Sequence, residues 1–429
     1  MIQDDYRVAV DIGTTKVCAI IARKRADHRV ELLGIGVAPC TGMGRGNVTD
    51  KAGVAEAVRE AVDAASRSAG VSVHRAYIGI TGSHIDSRNR WNTVPRQAGV
   101  HAVSDHDLSS ALRAASKVEL GEDRRLLHVI PRTYSLDGIH GVRNPLGMHT
   151  AELHIQSHVI TGSIAHIAAL QEAVRDARIM PTNTVVEPVA SADAVLSADE
   201  REEGAVLVDI GGGTADIAVL HEGSIVHTTV LPVGGFQFTN DLSIAFDIDF
   251  TEAEQLKLEH GTCAPELVAR TEEVTLHPKR LGEPLTITKR EVGQVLRERV
   301  QELFRMVLLR LDEPHLADVP LERVVFTGGG AKLNGLLNLA KFVFQRRVRL
   351  GGPRGLDGLP EAHRDPAYSA AVGIMLWGMR NLPVENHVGK MSAAPSKSAG
   401  PESASPGVLK GLRGWLPGGS QPDDRVARV

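Results

Sequence analysis

The chain has 429 residues, of which 42% are hydrophobic and 23% charged, with a net charge of −4. That length exceeds the usual capacity of one hydrophobic core, so two or more lobes are expected, and the charge balance gives no reason to expect nucleic-acid binding. No window reaches the roughly 18 consecutive apolar residues of a membrane span, no basic-then-apolar leader opens the chain, and Cys18, Cys40 and Cys263 lack CxxC spacing, which together point to a reducing cytoplasm.

In chain order, an apolar strand ending in Asp11-Ile12-Gly13 turns through Thr14-Thr15-Lys16 into a second apolar strand, and a third follows at about 30–38. A helix is predicted between Asp50 and Gly70 from the spacing of Val54, Ala57, Val58, Ala61, Val62 and Ala65. A strand follows at 75–81. The segment 82–161, with its own helix near 105–120 and strand near 126–137, is long enough for an inserted subdomain. At Val206 the opening pattern returns, as Val-Leu-Val-Asp209-Ile-Gly211-Gly212-Gly213-Thr214 and a further strand. A third strand at 224–231, a helix near 234–246 and a closing strand at 322–327 complete the second copy. Between them lies an insertion with a helix opened by the capping box Thr288-x-x-Glu291 and running to about Leu311. Three strands, a helix and a strand, given twice, describe the α/β, duplicated two-lobe fold of the actin, Hsp70 and sugar-kinase (RNase H-like) class. The expected parts are lobe 1A (1–81 and 162–204), the insertion (82–161), lobe 2A (205–240 and 321–380) and lobe 2B (241–320).

The two glycine turns suit phosphate. Glycine permits close backbone approach, and successive N–H groups in a tight turn form an anion nest. Gly13, Thr14, Thr15 and Lys16, with Gly211, Gly212, Gly213 and Thr214, are the expected phosphate-binding residues. Asp11 and Asp209 end their strands at these turns, where a carboxylate can hold the waters of Mg²⁺. Gly328-Gly329-Gly330-Ala331, after a strand, offers side-chain-free backbone for a flat nucleoside. Glu254 and Lys257, at i and i+3 on a helix, point one way and could clamp a ribose or base. ATP with Mg²⁺ is the expected cofactor pair.

The end of the chain reads separately. Residues 381–407 are rich in Ser, Ala, Pro and Gly and read as a disordered tether. Val408, Leu409, Leu412, Trp415 and Leu416 then fall within an arc of roughly 120° at 100° per residue, with Lys410 and Arg413 outside it. Residues 408–417 are expected to form an interfacial amphipathic helix on an anionic membrane, followed by a polar tail at 418–429. Gly411 and Gly414 each cost about 1 kcal/mol of helix propensity. Five buried apolar side chains could gain on the order of 5–10 kcal/mol before ordering costs, so one anchor binds weakly and many on a polymer bind well.

Over about residues 7–379 and in its tail, the chain resembles FtsA, the bacterial actin homologue of cell division. The matching motifs are phosphate 1 (Asp11–Lys16), the connecting motif Val186-Glu187-Pro188-Val189-Ala190-Ser191, phosphate 2 (Asp209–Thr214), the adenosine motif (Thr327–Ala331) and a second connecting motif, Asp365–Gly373. More specific to the family are Thr81-Gly82-Ser83-His84-Ile85, Leu127–Pro131, Asn144-Pro145-x-Gly147-Met148 and Thr251–Lys257. The resemblance adds Glu187 to the nucleotide residues and names the insertion subdomain 1C. It implies a peripheral protein on the cytoplasmic face of the membrane at the division septum. Such a protein binds ATP, self-associates into filaments, takes the C-terminal peptide of the tubulin-like FtsZ on lobe 2B, and recruits late division proteins through 1C. No residue stands out as a catalytic base, so at most a weak ATPase is expected. The alternatives are a PilM-like adaptor of pilus assembly, which would lack the terminal amphipathic helix, and a metabolic kinase, which needs an acceptor-side base that the sequence does not separately supply.

Overall fold

The computed structural model describes residues 6–280 and 283–380. The expected linker, the amphipathic helix with Val408, Leu409, Leu412, Trp415 and Leu416, and the polar tail lie outside the described residues.

The first lobe opens with β1 (Tyr6–Ile12), β2 (Lys16–Lys24), β3 (Val30–Pro39), α1 (Lys51–Ala69) and β4 (Arg75–Ile80). Asp50 caps α1 by accepting from the Ala52 N–H, and Gly70 ends it in the left-handed region at φ 67°, where its N–H returns to Ser66. The insertion supplies β5 (Asp86–Thr93), α2 (Asp105–Ser116), β6 (Arg124–Leu136), β7 (Ile139–Val142) and β8 (Leu153–Ser163). The chain returns through α3 (Ile164–Asp176), β9 (Met180–Val186) and α4 (Glu187–Val195).

The second copy runs β10 (Ala205–Ile210), β11 (Ala215–His221), β12 (Ser224–Leu231), α5 (Gly235–Phe246) and α6 (Phe250–His260). A hairpin, β13 (Glu273–Leu276) and β14 (Leu285–Thr288), feeds α7 (Lys289–Leu311), whose capping box joins Thr288 and Glu291 reciprocally. Then come β15 (Arg323–Thr327), α8 (Leu336–Phe344), β16 (Arg347–Leu350), β17 (Leu356–Asp357) and α9 (Ser369–Arg380).

The large sheets repeat one plan. The first is ordered β9-β4-β1-β2-β3-β17 and the second β12-β11-β10-β15-β16. In each, the hairpin is antiparallel and its first strand lies parallel to a strand entering after a helix, with Ala9 beside Tyr77 and Leu207 beside Val325. Strand alternation divides the second sheet between two cores. Val206, Val208 and Ile210 pack with α5, α7 and α8, whereas Ala205 and Leu207 face the core shared with the first lobe, α4 and α9. Helix α9 approaches α4 so closely that a Cβ on Gly373 would strike the Ala190 backbone, which fixes glycine there. The insertion has its own small core around Tyr134, Leu153 and Ile155, under a sheet ordered β7-β6-β8-β5.

The edge strand of that inserted sheet meets the edge strand of the second large sheet. Ser87 Oγ on β5 donates to the Thr228 carbonyl on β12 at 2.7 Å, and Asn89 Nδ2 donates to the Val226 carbonyl at 2.9 Å. Polar side chains of one subdomain thus cover carbonyls that an open edge would leave exposed.

Candidate functional site, a two-turn phosphate cleft

Both glycine turns face one cleft between the lobes, which holds about 670 Å³ of space with its open mouth included. The turns share one backbone bond: Gly13 N–H donates to the Lys16 carbonyl at 2.9 Å, and Gly211 N–H to the Thr214 carbonyl at 2.8 Å. Duplicated sequence yields duplicated geometry. Across the cleft the turns nearly touch, since a Cβ on Gly213 would lie 2.5 Å from Thr14 Oγ1, and one on Gly212 would lie 2.9 Å from Thr15 Cγ2. The N-terminus of α5 is wired to the second turn, with Gly235 and Phe236 N–H donating to the Gly211 and Gly212 carbonyls.

Asp11, Gly13, Thr14, Thr15, Lys16, Glu187, Asp209, Gly211, Gly212, Gly213, Thr214, Gly328 and Gly329 all line the cleft. Gly328 has φ 85°, and a Cβ there would collide with Asp209 Oδ1 and the Ile210 carbonyl, so only glycine lets β15 pass this close to the second turn. Gly330 and Ala331 lie behind it, Gly330 against Ile210 and Ala331 buried in the second core. Glu254 and Lys257, expected to clamp a ribose or base, are not among the residues that line this cleft. Lys257 Nζ bonds Glu254 Oε2 at 2.7 Å, Thr239 Oγ1 at 2.8 Å and the Gly235 carbonyl at 3.2 Å, so this pair ties α6 to the start of α5.

Four carboxylates converge on the cleft, those of Asp11, Glu187, Asp209 and Asp216, each at least nine-tenths buried. Burial raises the Asp11 carboxyl to about 6, with Lys16 opposing and Asp209 adding to the rise. Burial likewise lifts Asp209 to about 6 against the Ser191 hydroxyl bond and Lys16. Glu187 is pushed well up by burial and then by Asp11, Asp216 and Asp209, and Asp216 by burial and then Asp209. Four buried acids beside one lysine, with like charges raising one another, suit a bound cation. Among the described residues, the cleft acids do not form a group of three ligand atoms within 4.8 Å of one another, so they fit a cation held mainly through water and phosphate.

Hydroxyls that sequence reasoning left without a role orient these acids. Ser191 Oγ donates to Asp209 Oδ2 at 2.6 Å, and Thr81 Oγ1 donates to Asp216 Oδ1. Thr327 Oγ1 and Ser369 Oγ bond at 2.7 Å and join β15 to α9. Thr81 and Thr327 stand at strand ends and Ser191 in the middle of α4, each beside a glycine-rich or acidic motif, the one sequence signal available for them. Lys16 Nζ donates to the Ala367 carbonyl at 2.8 Å and lies 4.5 Å from the centre of the Tyr368 ring, spanning from the first turn to the segment before α9.

Comparison with known proteins adds the lineage. The model described as "Cell division protein FtsA" matches residues 206–373, and "SHS2 domain inserted in FTSA" matches residues 82–161. The FtsA of Pseudomonas aeruginosa is 34% identical over 411 residues, covering 96% of this chain and 97% of that protein. The FtsA of Escherichia coli K12 is 32% identical over 382 residues, covering 86% of this chain and 90% of that protein. Among solved structures, the PilM–PilN type IV pilus biogenesis complex aligns with TM-score 0.62 at 16% identity, covering 87% of this chain and 98% of that one. MreB5 of Spiroplasma citri bound to ADP aligns with TM-score 0.51 at 15% identity, covering 87% and 96%. These structural likenesses establish an actin-like fold, and the sequence relatives establish the lineage: the chain belongs to the FtsA family of cell division proteins.

Proposed function

We propose that this chain is an ATP-binding, actin-like adaptor that anchors FtsZ filaments to the cytoplasmic membrane and recruits other division proteins. The observation that carries the nucleotide part is the paired glycine turns facing four buried carboxylates. The turn amides of Gly13–Thr15 and Gly211–Thr214, with the Thr14, Thr15 and Thr214 hydroxyls, cradle the phosphates from both lobes. Asp11 and Asp209 hold the waters of Mg²⁺, and Glu187 and Asp216 complete the negative wall. The bound cation supplies the positive charge that lets the acids and the phosphates share one cleft. A ligand gripped by both lobes favours the closed arrangement over an open one, which gives nucleotide a means to set polymer state.

Hydrolysis is expected to be slow. No residue of the cleft stands out as a general base, and the Asp216 carboxylate is engaged by the Thr81 hydroxyl. Residues 241–320 are the proposed face for the FtsZ C-terminal peptide. Residues 82–161 are the proposed face for late division proteins, and residues 408–417 the membrane anchor. Kinship above 30% identity with FtsA proteins supports this reading over a pilus adaptor, for which fold likeness alone speaks.

The test is co-sedimentation with anionic liposomes and Mg·ATP, using the full chain and a variant ending at residue 406, with FtsZ added in parallel. The full chain is expected to pellet and to bring FtsZ down, and the truncated chain to do neither. Equal lipid binding by both would remove the anchor assignment, and FtsZ remaining in the supernatant throughout would remove the adaptor role.

A further inference from the structure

Among the described residues, one group of three metal-ligating side chains converges outside the cleft: His227, Glu313 and His315. His227 lies on β12, the edge strand that receives the inserted subdomain, and is buried. Glu313 and His315 flank Pro314, which opens a short 3₁₀ turn between α7 and β15. Leu316 anchors that turn in the second core, so the two ligand-bearing residues are held by a packed segment.

One ligand atom from each of the three side chains lies within 4.8 Å of the other two, a spread that a single ion could span. His227 Nδ1 and His315 Nε2 share a hydrogen bond at 3.1 Å, a separation that is also near that of two nitrogens each bound about 2.0–2.1 Å from one tetrahedral ion. The Glu313 carboxylate lies 4.0 Å from His227 Nδ1 and 3.6 Å from His315 Nδ1. Both gaps exceed hydrogen-bonding range, so the acid faces the imidazoles without bonding either. The neighbouring His158 is no competitor, since its two nitrogens are engaged by Asn89 and Thr228.

We propose that His227, Glu313 and His315 bind a divalent cation of the zinc class, with water in the remaining position. Two imidazoles and one carboxylate are the donor set that borderline ions prefer, and Mg²⁺ or Ca²⁺ would favour oxygen-only sites. The ion links β12 to the segment before β15. The residue after His227, Thr228, accepts from Ser87 through its carbonyl and bonds His158 through its hydroxyl, so the site stiffens the strand on which the inserted subdomain rests.

The test titrates Zn²⁺ into the full chain with Mg·ATP present throughout, in competition with a chromophoric chelator. One tight equivalent is expected for the parent protein. His315→Ala, at a side chain 40% exposed, should weaken binding by about tenfold or more. Glu313→Gln should weaken it less. With Co²⁺, His315→Cys should create a thiolate-to-metal charge-transfer band in the near ultraviolet that the parent lacks, because only a residue on the ion can produce it. If the parent takes up no ion, or if parent, His315→Ala and Glu313→Gln titrate alike, binding is that of an adventitious ion only and the site is refuted.

Discussion

Replacing Asp209 with Asn should stabilise the nucleotide-free protein at pH 8 and abolish its stabilisation by Mg·ATP. The carboxyl of Asp209 stands near 6 in the folded protein against an ordinary 3.8. A raised acid holds its proton better when folded, so stability is fully present below about pH 4 and is lost as pH rises through 6. Each pH unit is worth about 1.4 kcal/mol, which makes the loss on the order of 3 kcal/mol by pH 8. Asn removes the charge and keeps an oxygen that can accept from Ser191, so the variant escapes that loss. Melting temperature followed from pH 4.5 to 8.5, as variant minus parent, should begin small and climb to several degrees positive. Mg·ATP at 100 times its dissociation constant should then add about 2.7 kcal/mol to the parent and little to the variant. A variant that melts below the parent at pH 8 without nucleotide would show that the cleft acids carry no desolvation penalty. The argument for a cation site would fall with it.

The glycine geometry and the edge contact yield three further expectations. Gly213→Ala places a methyl 2.5 Å from Thr14 Oγ1 and 3.0 Å from the Arg45 nitrogen, so the turns must separate; calorimetry should show nucleotide affinity lowered by roughly tenfold, about 1.4 kcal/mol, with the fold intact. Gly373→Ala drives a methyl into the Ala190 backbone between α9 and α4, and urea unfolding should show a loss of about 1–3 kcal/mol or more. Asn89→Ala leaves the Val226 carbonyl and His158 Nδ1 without their partner, and the same measurement should show a loss of about 1–3 kcal/mol.

The duplication was legible because its signals are local. Glycines after Asp11 and Asp209, apolar alternation on either side and the Thr288–Glu291 box each act over a few residues, and the strands and helices follow them closely. Hidden features join residues far apart in the chain. Thr81 meets Asp216 and Ser191 meets Asp209 because two sheets face each other, and no period in the sequence encodes that approach. Strand β5, with Asp-Ser-Arg-Asn-Arg-Trp-Asn-Thr, reads as a solvated surface until β12 is laid beside it. Glu254 and Lys257 show the converse. Their spacing places them on one face of α6, yet which ligand that face meets depends on α5, and there they hold Thr239 and one another.

The same distinction explains why the acids of the cleft carry more argument than its glycines. A glycine turn is common and by itself says only that backbone comes close to something. Asp11 and Asp209 occupy equivalent places in the two repeats, and Asp216 stands where the first repeat has Cys18, as their pairing across each hairpin shows. Duplication alone therefore supplies two acids. The second repeat adds a third, and Glu187, at the start of the wholly buried α4, adds a fourth. Each added buried acid raises its neighbours and costs stability when the cleft lacks a counter-charge. A fold kept only for packing would gain by replacing them. Four such acids at the meeting point of both lobes are what our proposal requires, with a cation and a polyphosphate arriving together and lobe closure depending on that arrival.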